Sequence, residues 1–409
     1  MQRFLPLAML VGLAAGVAAG AALTASGQAW VVTQVLDPVG QVWMRAVLLL
    51  VVPLAVCALI LGVQAIGQVG ALGRLGLRCL LWSTGLACVA VAVGVLLVAT
   101  IQPGAGIAPE QLGKAVASTT LPPAAKAGSG WWLSLMPNNL VAALADNGAM
   151  LGILVASLLI GLGILATRTP AVARLVESIQ GLFEVLQTLL RWVMAVAPLG
   201  VACLSAVLVT RVGLEIIAVI GAFAGVVVAG LLLHALVVYG LCVRLVGGRS
   251  PWRLWLDARQ ALLTAFSTAS SVATLPTTLD VAEHRCGLPG PVARFVLTIG
   301  ASANQHGTAL FDGVAVLFMA QAYGVELGIA QQAMICGICV LAGIGTAGVP
   351  GGAIPVIMMM LGMVGVPAEG VALILGIDRV LDMCRTTVNV AGDLALTAIV
   401  AGPPSARTA

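Results

Sequence analysis

The sequence predicts an all-α integral membrane protein, and three observations carry that expectation. Of 409 residues, 61% are hydrophobic and 8% charged, with a mean hydropathy of +1.12. Soluble chains carry about 25% charged residues, so the ionic groups here are too few to solvate the surface that a soluble protein of this size exposes. The apolar residues form long runs, at 4–23, 41–69, 77–101, 131–167, 171–209 and 212–247. A helical span needs about 20 such residues, so the chain has material for about six to ten spans or partial spans. The polar residues inside the later runs are gathered into a few islands, which is where chemistry is expected.

The first run follows Arg3 and ends near Ala25-Ser26-Gly27-Gln28-Ala29, a pattern that a cleaved signal peptide shares. Its apolar core is longer than a usual signal core, which favours a retained first helix. The segment at 102–130, with Pro103, Glu110, Lys114, Pro122, Pro123 and Lys126, is the one long loop. Arg74, Arg78, Arg168, Arg174, Arg244, Arg249, Arg253 and Arg259 fall in alternate connections. The positive-inside rule then places the N-terminus in the cytoplasm and the long loop outside. A formal charge of +4, built from singly spread arginines and two lysines, forms no patch for nucleic acid. Nine cysteines, mostly inside apolar runs, suggest small hydrophobes rather than a disulfide framework. Cys336 and Cys339 have C-x-x-C spacing, but their apolar neighbours and the lack of a second pair favour packing over metal or redox chemistry.

After residue 250 the simple pattern fails. The stretches Ser267-Thr268-Ala269-Ser270-Ser271-Val272-Ala273-Thr274-Leu275-Pro276 and Gly343-Ile344-Gly345-Thr346-Ala347-Gly348-Val349-Pro350 each break an apolar segment and end in a branched aliphatic residue followed by proline. Paired interruptions of this kind point to a carrier's binding site; the plainer reading is two kinks in ordinary spans. Between them, Gly300-Ala301-Ser302-Ala303-Asn304-Gln305-His306-Gly307-Thr308 is a polar island that can open a helix and free carbonyl oxygens for a hard cation. A polar helix interface is the alternative there.

The last run holds the strongest signal. At 100° per residue, Asp378, Asp382, Arg385, Asn389 and Asp393 fall within an arc of roughly 80°. Charge at the bilayer centre costs about 2.5 kcal/mol or more per group, so the stripe must face a polar cavity. Acids interleaved with a guanidinium suit a zwitterion, an acid for its ammonium and the fork for a carboxylate. An ion-pair network between helices is the structural alternative. Intramembrane aspartyl catalysis is disfavoured, because facing carboxylates usually come from different helices. No G-x-S-x-G, H-E-x-x-H or nucleotide loop is present.

These motifs resemble the dicarboxylate/amino acid:cation symporter family, the glutamate/aspartate transporters, over nearly the whole chain. Supporting markers are Val52-Pro53-Leu54, Gly73-Arg74-Leu75-Gly76, Met136-Pro137-Asn138-Asn139 and Ala197-Pro198-Leu199-Gly200-Val201. More specific are the two interrupted stretches and Gly376-Ile377-Asp378 through Asp393. The resemblance implies eight transmembrane helices plus two re-entrant hairpins with inverted repeats. Residues 1–76 become scaffold helices one and two, 77–101 helix three of a transport domain, 102–130 the extracytoplasmic loop and 131–209 scaffold helices four and five. Residues 210–250 become helix six, 251–286 the first hairpin, 287–324 helix seven, 325–364 the second hairpin and 365–402 helix eight. It further implies a homotrimer in the inner (plasma) membrane, both termini cytoplasmic, with the transport domain moving like an elevator.

By the same resemblance, Asp382 receives the substrate ammonium and Arg385 its side-chain carboxylate, with Thr308 and Thr386 nearby. Ser270, Ser271 and Asn389 hold the main-chain carboxylate, and Gly348 and Val349 form the gate. Gly300, Asn304, Asn389 and Asp393 make one Na⁺ site; Ser302, Gly343, Ile344 and Thr346 make another. An acid at 382 together with a guanidinium at 385 favours aspartate or glutamate over dicarboxylates and neutral amino acids. The chain departs from the family pattern at Asn304-Gln305-His306-Gly307-Thr308, where Asn-Met-Asp-Gly-Thr is usual. With Ser83, Leu86 and Ala87 at the matching positions of helix three, a further Na⁺ site is expected to be lost. Fewer Na⁺ ions are then carried. The alternative is H⁺ coupling through His306, with an acidic amino acid or dicarboxylate as substrate. Ala269 stands where the family often has an arginine, a role that Arg379 is a candidate to fill.

Overall fold

The structure is a computed structural model that describes residues 5–26, 28–71, 74–105, 136–145, 150–167, 169–345 and 353–403. All the described regular structure is helical. Residues 106–135 and 346–352, the latter including Thr346, Gly348 and Val349, lie outside the described residues.

The first run forms α1 (Leu5–Ser26), which packs along α6 (Ala197–Val212). Gly12, Gly16 and Gly20 share one face at four-residue spacing. A Cβ at any of them would strike the backbone of Pro198, Ala202 or Ala206 respectively. Small residues at this spacing let two helices approach in lipid, where van der Waals contact rather than water drives association. Next, α2 (Asp37–Ala71) continues through Pro53 and packs on α4 (Met150–Ala166), α5 (Pro170–Ala195) and α6. The apolar run at 171–209 is bent: Pro170–Val193 and Ala197–Val207 meet at 56°. Pro198 has no N–H to continue the ladder and sits in the first turn of the new helix. The Val193 carbonyl at the bend instead accepts a bond from Trp43 Nε1 at 3.1 Å.

The second group of helices surrounds α12 (His306–Ala322), which is buried on all sides except at Gln321. Around it stand α3 (Arg74–Ile101), α13 (Ile329–Gly345), α14 (Ala353–Met363) and α15 (Ala372–Ala401), together with α7 (Glu215–Leu233). A wide turn at His234–Val238 joins α7 to α8 (Tyr239–Leu245). Arg74–Ile101 and Ile216–Leu245 are each long and apolar enough to cross a bilayer. The first interrupted stretch is a helical hairpin, α9 (Pro251–Thr268) and α10 (Ser271–His284), turning at Ala269 and Ser270. Ala269 takes the left-handed φ of +49° at that turn. Then α11 (Gly290–Ala303) leads towards α12, and the chain leaves helical geometry at Asn304 and Gln305 (φ/ψ −134°/58° and −98°/62°). Only α15 is unbroken among the elements that carry the polar islands.

Candidate substrate and cation site

The stripe on α15 is buried along its whole length, from Asp378 to Asp393. In its first half the charges neutralise one another within the helix. Arg385, 1% exposed, donates from Nη1 to Asp378 Oδ1 and from Nε to Asp382 Oδ1, both at 3.0 Å. Its guanidinium carbon lies 4.2 Å from the centroid of the Phe311 ring, so one face is covered by an aromatic quadrupole. Arg379 Nη1 reaches Asp382 Oδ2 at 3.5 Å, and its Nε has no partner among the described residues. Two acids thus balance two guanidinium groups in an interior that would not tolerate either sign alone. Thr386 is buried beside them.

In the second half the bonds cross between helices. Asn389 Oδ1 accepts from Gly307 N at 2.7 Å, while its Nδ2 donates to Gln305 Oε1 at 2.5 Å and Thr308 Oγ1 at 3.1 Å. Three groups of the opened α11–α12 junction are therefore tied to one side chain. Gly307 is required here, since a Cβ would come within 2.6 Å of the Arg385 carbonyl. Asp393, 2% exposed, accepts from Asn304 Nδ2 at 2.8 Å. Its carboxylate lies against Gly300, where a Cβ would collide with Oδ1. From the end of α13, the Gly343 carbonyl accepts from Gln305 N at 2.9 Å, which closes α13 onto the junction. The structure thus gathers Gly300, Asn304, Gly343, Asn389 and Asp393 around one break. Nothing is described of the side chains of Ser302 and Ile344.

The first hairpin presents its turn as the start of α10, which packs against α15. Ser270 caps the helix, its Oγ accepting from Ala273 N at 3.2 Å. Ser271 is buried and its hydroxyl has no hydrogen-bond partner among the described residues. A free hydroxyl at the positive end of a helix suits a carboxylate.

His306 is hydrogen-bonded through both ring nitrogens, Nε2 to the Ser83 carbonyl at 3.0 Å and Nδ1 to Tyr239 Oη at 2.8 Å. Leu86 and Ala87, the other matched positions of α3, are buried and carry no side-chain oxygen. Two residues escaped the sequence reading. Tyr239 comes from α8, far from any polar island in the chain. Asp312 is 0% exposed on α12, and neither of its oxygens has a partner among the described residues; Arg385 and Asp378 are the charges acting on it. The signal was present, since Asp312 follows Thr308 by four residues and so shares its helix face.

A helical membrane carrier is the class that this fold, two interrupted segments around a buried stripe of opposed charges, defines. The sodium:dicarboxylate symporter family model matches residues 5–402. The chain belongs to that family, and is a transporter rather than an enzyme. It is 35% identical to the proton/glutamate-aspartate symporter of Escherichia coli (strain K12), over 91% of this chain and 86% of that protein. It is 32% identical to the proton/sodium-glutamate symport protein of Bacillus caldotenax, over 96% and 92%. Identity to excitatory amino acid transporter 3 of Homo sapiens is 30%, over 88% and 78%.

Proposed function

We propose that the protein is a secondary active symporter for acidic amino acids, aspartate or glutamate. It works as a homotrimeric, multi-pass protein of the inner (plasma) membrane with both termini in the cytoplasm. The α3, α7–α8 and α9–α15 group is the transport domain, moving like an elevator past α1, α2 and α4–α6. The observation that carries the substrate class is the Asp378–Arg385–Asp382 set. An acidic amino acid offers a carboxylate to take Arg385 and an ammonium to take the Asp382 carboxylate so released. The side-chain carboxylate and the ammonium together replace one internal ion pair, and the second carboxylate brings one further negative charge to the site. The free Ser271 hydroxyl suits the main-chain carboxylate.

Coupling is to Na⁺ at the junction of Gly300, Asn304, Asn389 and Asp393, an oxygen-rich set fit for a hard cation. Fewer such sites operate than the family resemblance implies, since His306 fills the place of an acid. The names of the relatives include both proton and sodium coupling, and one observation favours a second reading in which H⁺ is carried. Asp312 is a carboxyl group in the α12 core that no donor among the described residues satisfies, and a proton removes its charge.

Titration of the detergent-solubilised protein with aspartate, with and without Na⁺, tests the first reading. We expect Na⁺ to strengthen aspartate binding and Arg385→Cys to abolish it; unchanged affinity in that variant overturns the carboxylate role of Arg385. Uptake into liposomes driven by a proton gradient in sodium-free buffer, and lost in Asp312→Asn, would replace sodium coupling with the second reading.

A further inference from the structure

The cation junction is reached by a chain of hydrogen bonds whose polarity can be read from one end to the other. The Ser83 carbonyl can only accept, so the His306 nitrogen facing it, Nε2 at 3.0 Å, carries the hydrogen. No carboxylate lies within ion-pair distance of the ring among the described residues. In the neutral ring Nδ1 is then the acceptor, and Tyr239 Oη donates to it at 2.8 Å. The Ser83 hydroxyl donates to Asn304 Oδ1 at 2.6 Å. That leaves Asn304 Nδ2 to donate to Asp393 Oδ1 at 2.8 Å. Ser83 joins the two parts, its backbone carbonyl accepting from His306 and its hydroxyl donating to Asn304, so the bonds run from the Tyr239 hydroxyl to the Asp393 carboxylate through one residue of α3.

The surroundings hold the first link rigidly. Tyr239 is fully buried and begins α8 directly after the wide turn at His234–Val238, a backbone irregularity that turns up frequently at functional sites. The His234 ring packs edge-on against the Tyr239 ring with centroids 4.5 Å apart. On the opposite side α15 closes over the bond: a Cβ at Gly392 would stand 2.5 Å from Tyr239 Oη and 3.2 Å from His306 Nδ1. Gly392 immediately precedes Asp393, so the same stretch of backbone seats both ends of the chain of bonds.

We infer that Tyr239 is a positioning residue for the cation site: by donating to His306 Nδ1 it holds the imidazole against the Ser83 carbonyl, and so sets the place on α3 from which the Ser83 hydroxyl bonds the Asn304 amide facing Asp393. The inference rests on the reading of Asp393 as the coupling-cation site. Without the hydroxyl, His306 Nδ1 loses its buried partner and the ring is no longer held against the Ser83 carbonyl. Ser83 can then shift with α3, which loosens the Asn304 amide, and Asp393 meets the cation in a mixture of arrangements. Tyr239 touches neither substrate nor cation, so its removal alters affinity for the ion rather than the transport step.

The test is sodium-dependent aspartate uptake in proteoliposomes by wild type, Tyr239→Phe, His306→Gln, the double variant and Asp393→Asn. Tyr239→Phe is expected to raise the sodium concentration for half-maximal uptake ~10-fold, the low end of what loss of an outer partner costs a metal site. The maximal rate at saturating sodium is expected to be retained. His306→Gln keeps a donor for the Ser83 carbonyl without needing Tyr239, so in that background Tyr239→Phe should cause no further shift, the signature of two residues acting as one unit. A shift of equal size in both backgrounds, or no shift in the wild-type background, overturns the inference. Asp393→Asn separates the two readings. Wild-type sodium dependence in that variant removes the cation site and the role of Tyr239 with it. Lost dependence in Asp393→Asn beside unchanged dependence in Tyr239→Phe removes the role of Tyr239 alone.

Discussion

The two halves of α15 keep polar groups in an apolar interior by different means. Between Asp378 and Arg385 the partners stand on the same helix, three and seven residues apart, and the ion pairs form without help from a neighbour. Between Asn389 and Asp393 every partner comes from elsewhere, from α12, the α11–α12 junction and, through Asn304, from α3. The first arrangement can be exchanged for a ligand while the helices stay in place. The second fixes the helices to one another and shapes a site before anything binds. A carrier needs both, since its substrate groups must be released while its frame is kept.

The sharpest way to break this contrast is Asn389→Ala. That change takes partners from Gly307 N, Gln305 Oε1 and Thr308 Oγ1 at once. Interhelical hydrogen bonds in membrane proteins average about 0.6 kcal/mol, so three of them predict a loss of about 2 kcal/mol in stability. Thermal unfolding in detergent should show it, together with weakened cation and substrate binding. An unfolding midpoint equal to wild type would mean that the junction is held by packing and not by Asn389.

Asp378→Asn probes the other half and should act in the opposite sense. Arg385 keeps Asp382, so stability should fall by less than ~1 kcal/mol, well short of the ~3–5 kcal/mol that stranding a buried charge costs. Asp378 competes with a substrate carboxylate for Nη1, and its loss leaves the site one charge more positive. Both effects predict aspartate binding several-fold tighter, by about 1 kcal/mol per 5-fold. Weaker binding in titration calorimetry would show that Asp378 orients Arg385 for the substrate, and the two halves would then differ less than their bonds suggest.

The same contrast explains what could be read from the sequence. The stripe was legible because its partners lie on one helix, where a period of 3.6 residues converts spacing into geometry. The break between Pro251–Thr268 and Ser271–His284 was legible because small residues and proline punctuate an apolar run there. Asn304 announced an opened helix because polar residues are rare at such depth. Cross-helix pairing has no comparable signature. His306 was conspicuous as a departure from a pattern, but Tyr239, its partner 67 residues earlier, sits in an ordinary apolar run. Asp312 was overlooked because the helix around it is largely apolar, and only the Thr308 hydroxyl one turn earlier marks the face it shares. The bend before Pro198 was missed for a related reason, since apolar composition continues across it unchanged.

A cross-helix bond without burial isolates the last variable. Arg294, near the start of α11, donates from Nε to Glu283 Oε1 at 2.8 Å and from Nη2 to Oε2 at 3.2 Å, linking the base of the first hairpin to the next helix. The Arg294 hydrogen bond holds the Glu283 carboxyl below its ordinary range. A depressed carboxyl contributes stability that is complete above its unfolded value of about 4.3 and is lost as the pH falls through the lower folded value. The pair is exposed to solvent, where such bonds contribute little because water screens them and two long side chains must be ordered. Glu283→Gln is therefore expected to leave the unfolding midpoint and aspartate uptake at pH 7 unchanged, and to flatten slightly the loss of stability below pH 4. A clear drop in uptake at pH 7 would mean that the hairpin base is coupled to the buried junction, and that burial is not what separates bonds that matter to transport from bonds that do not.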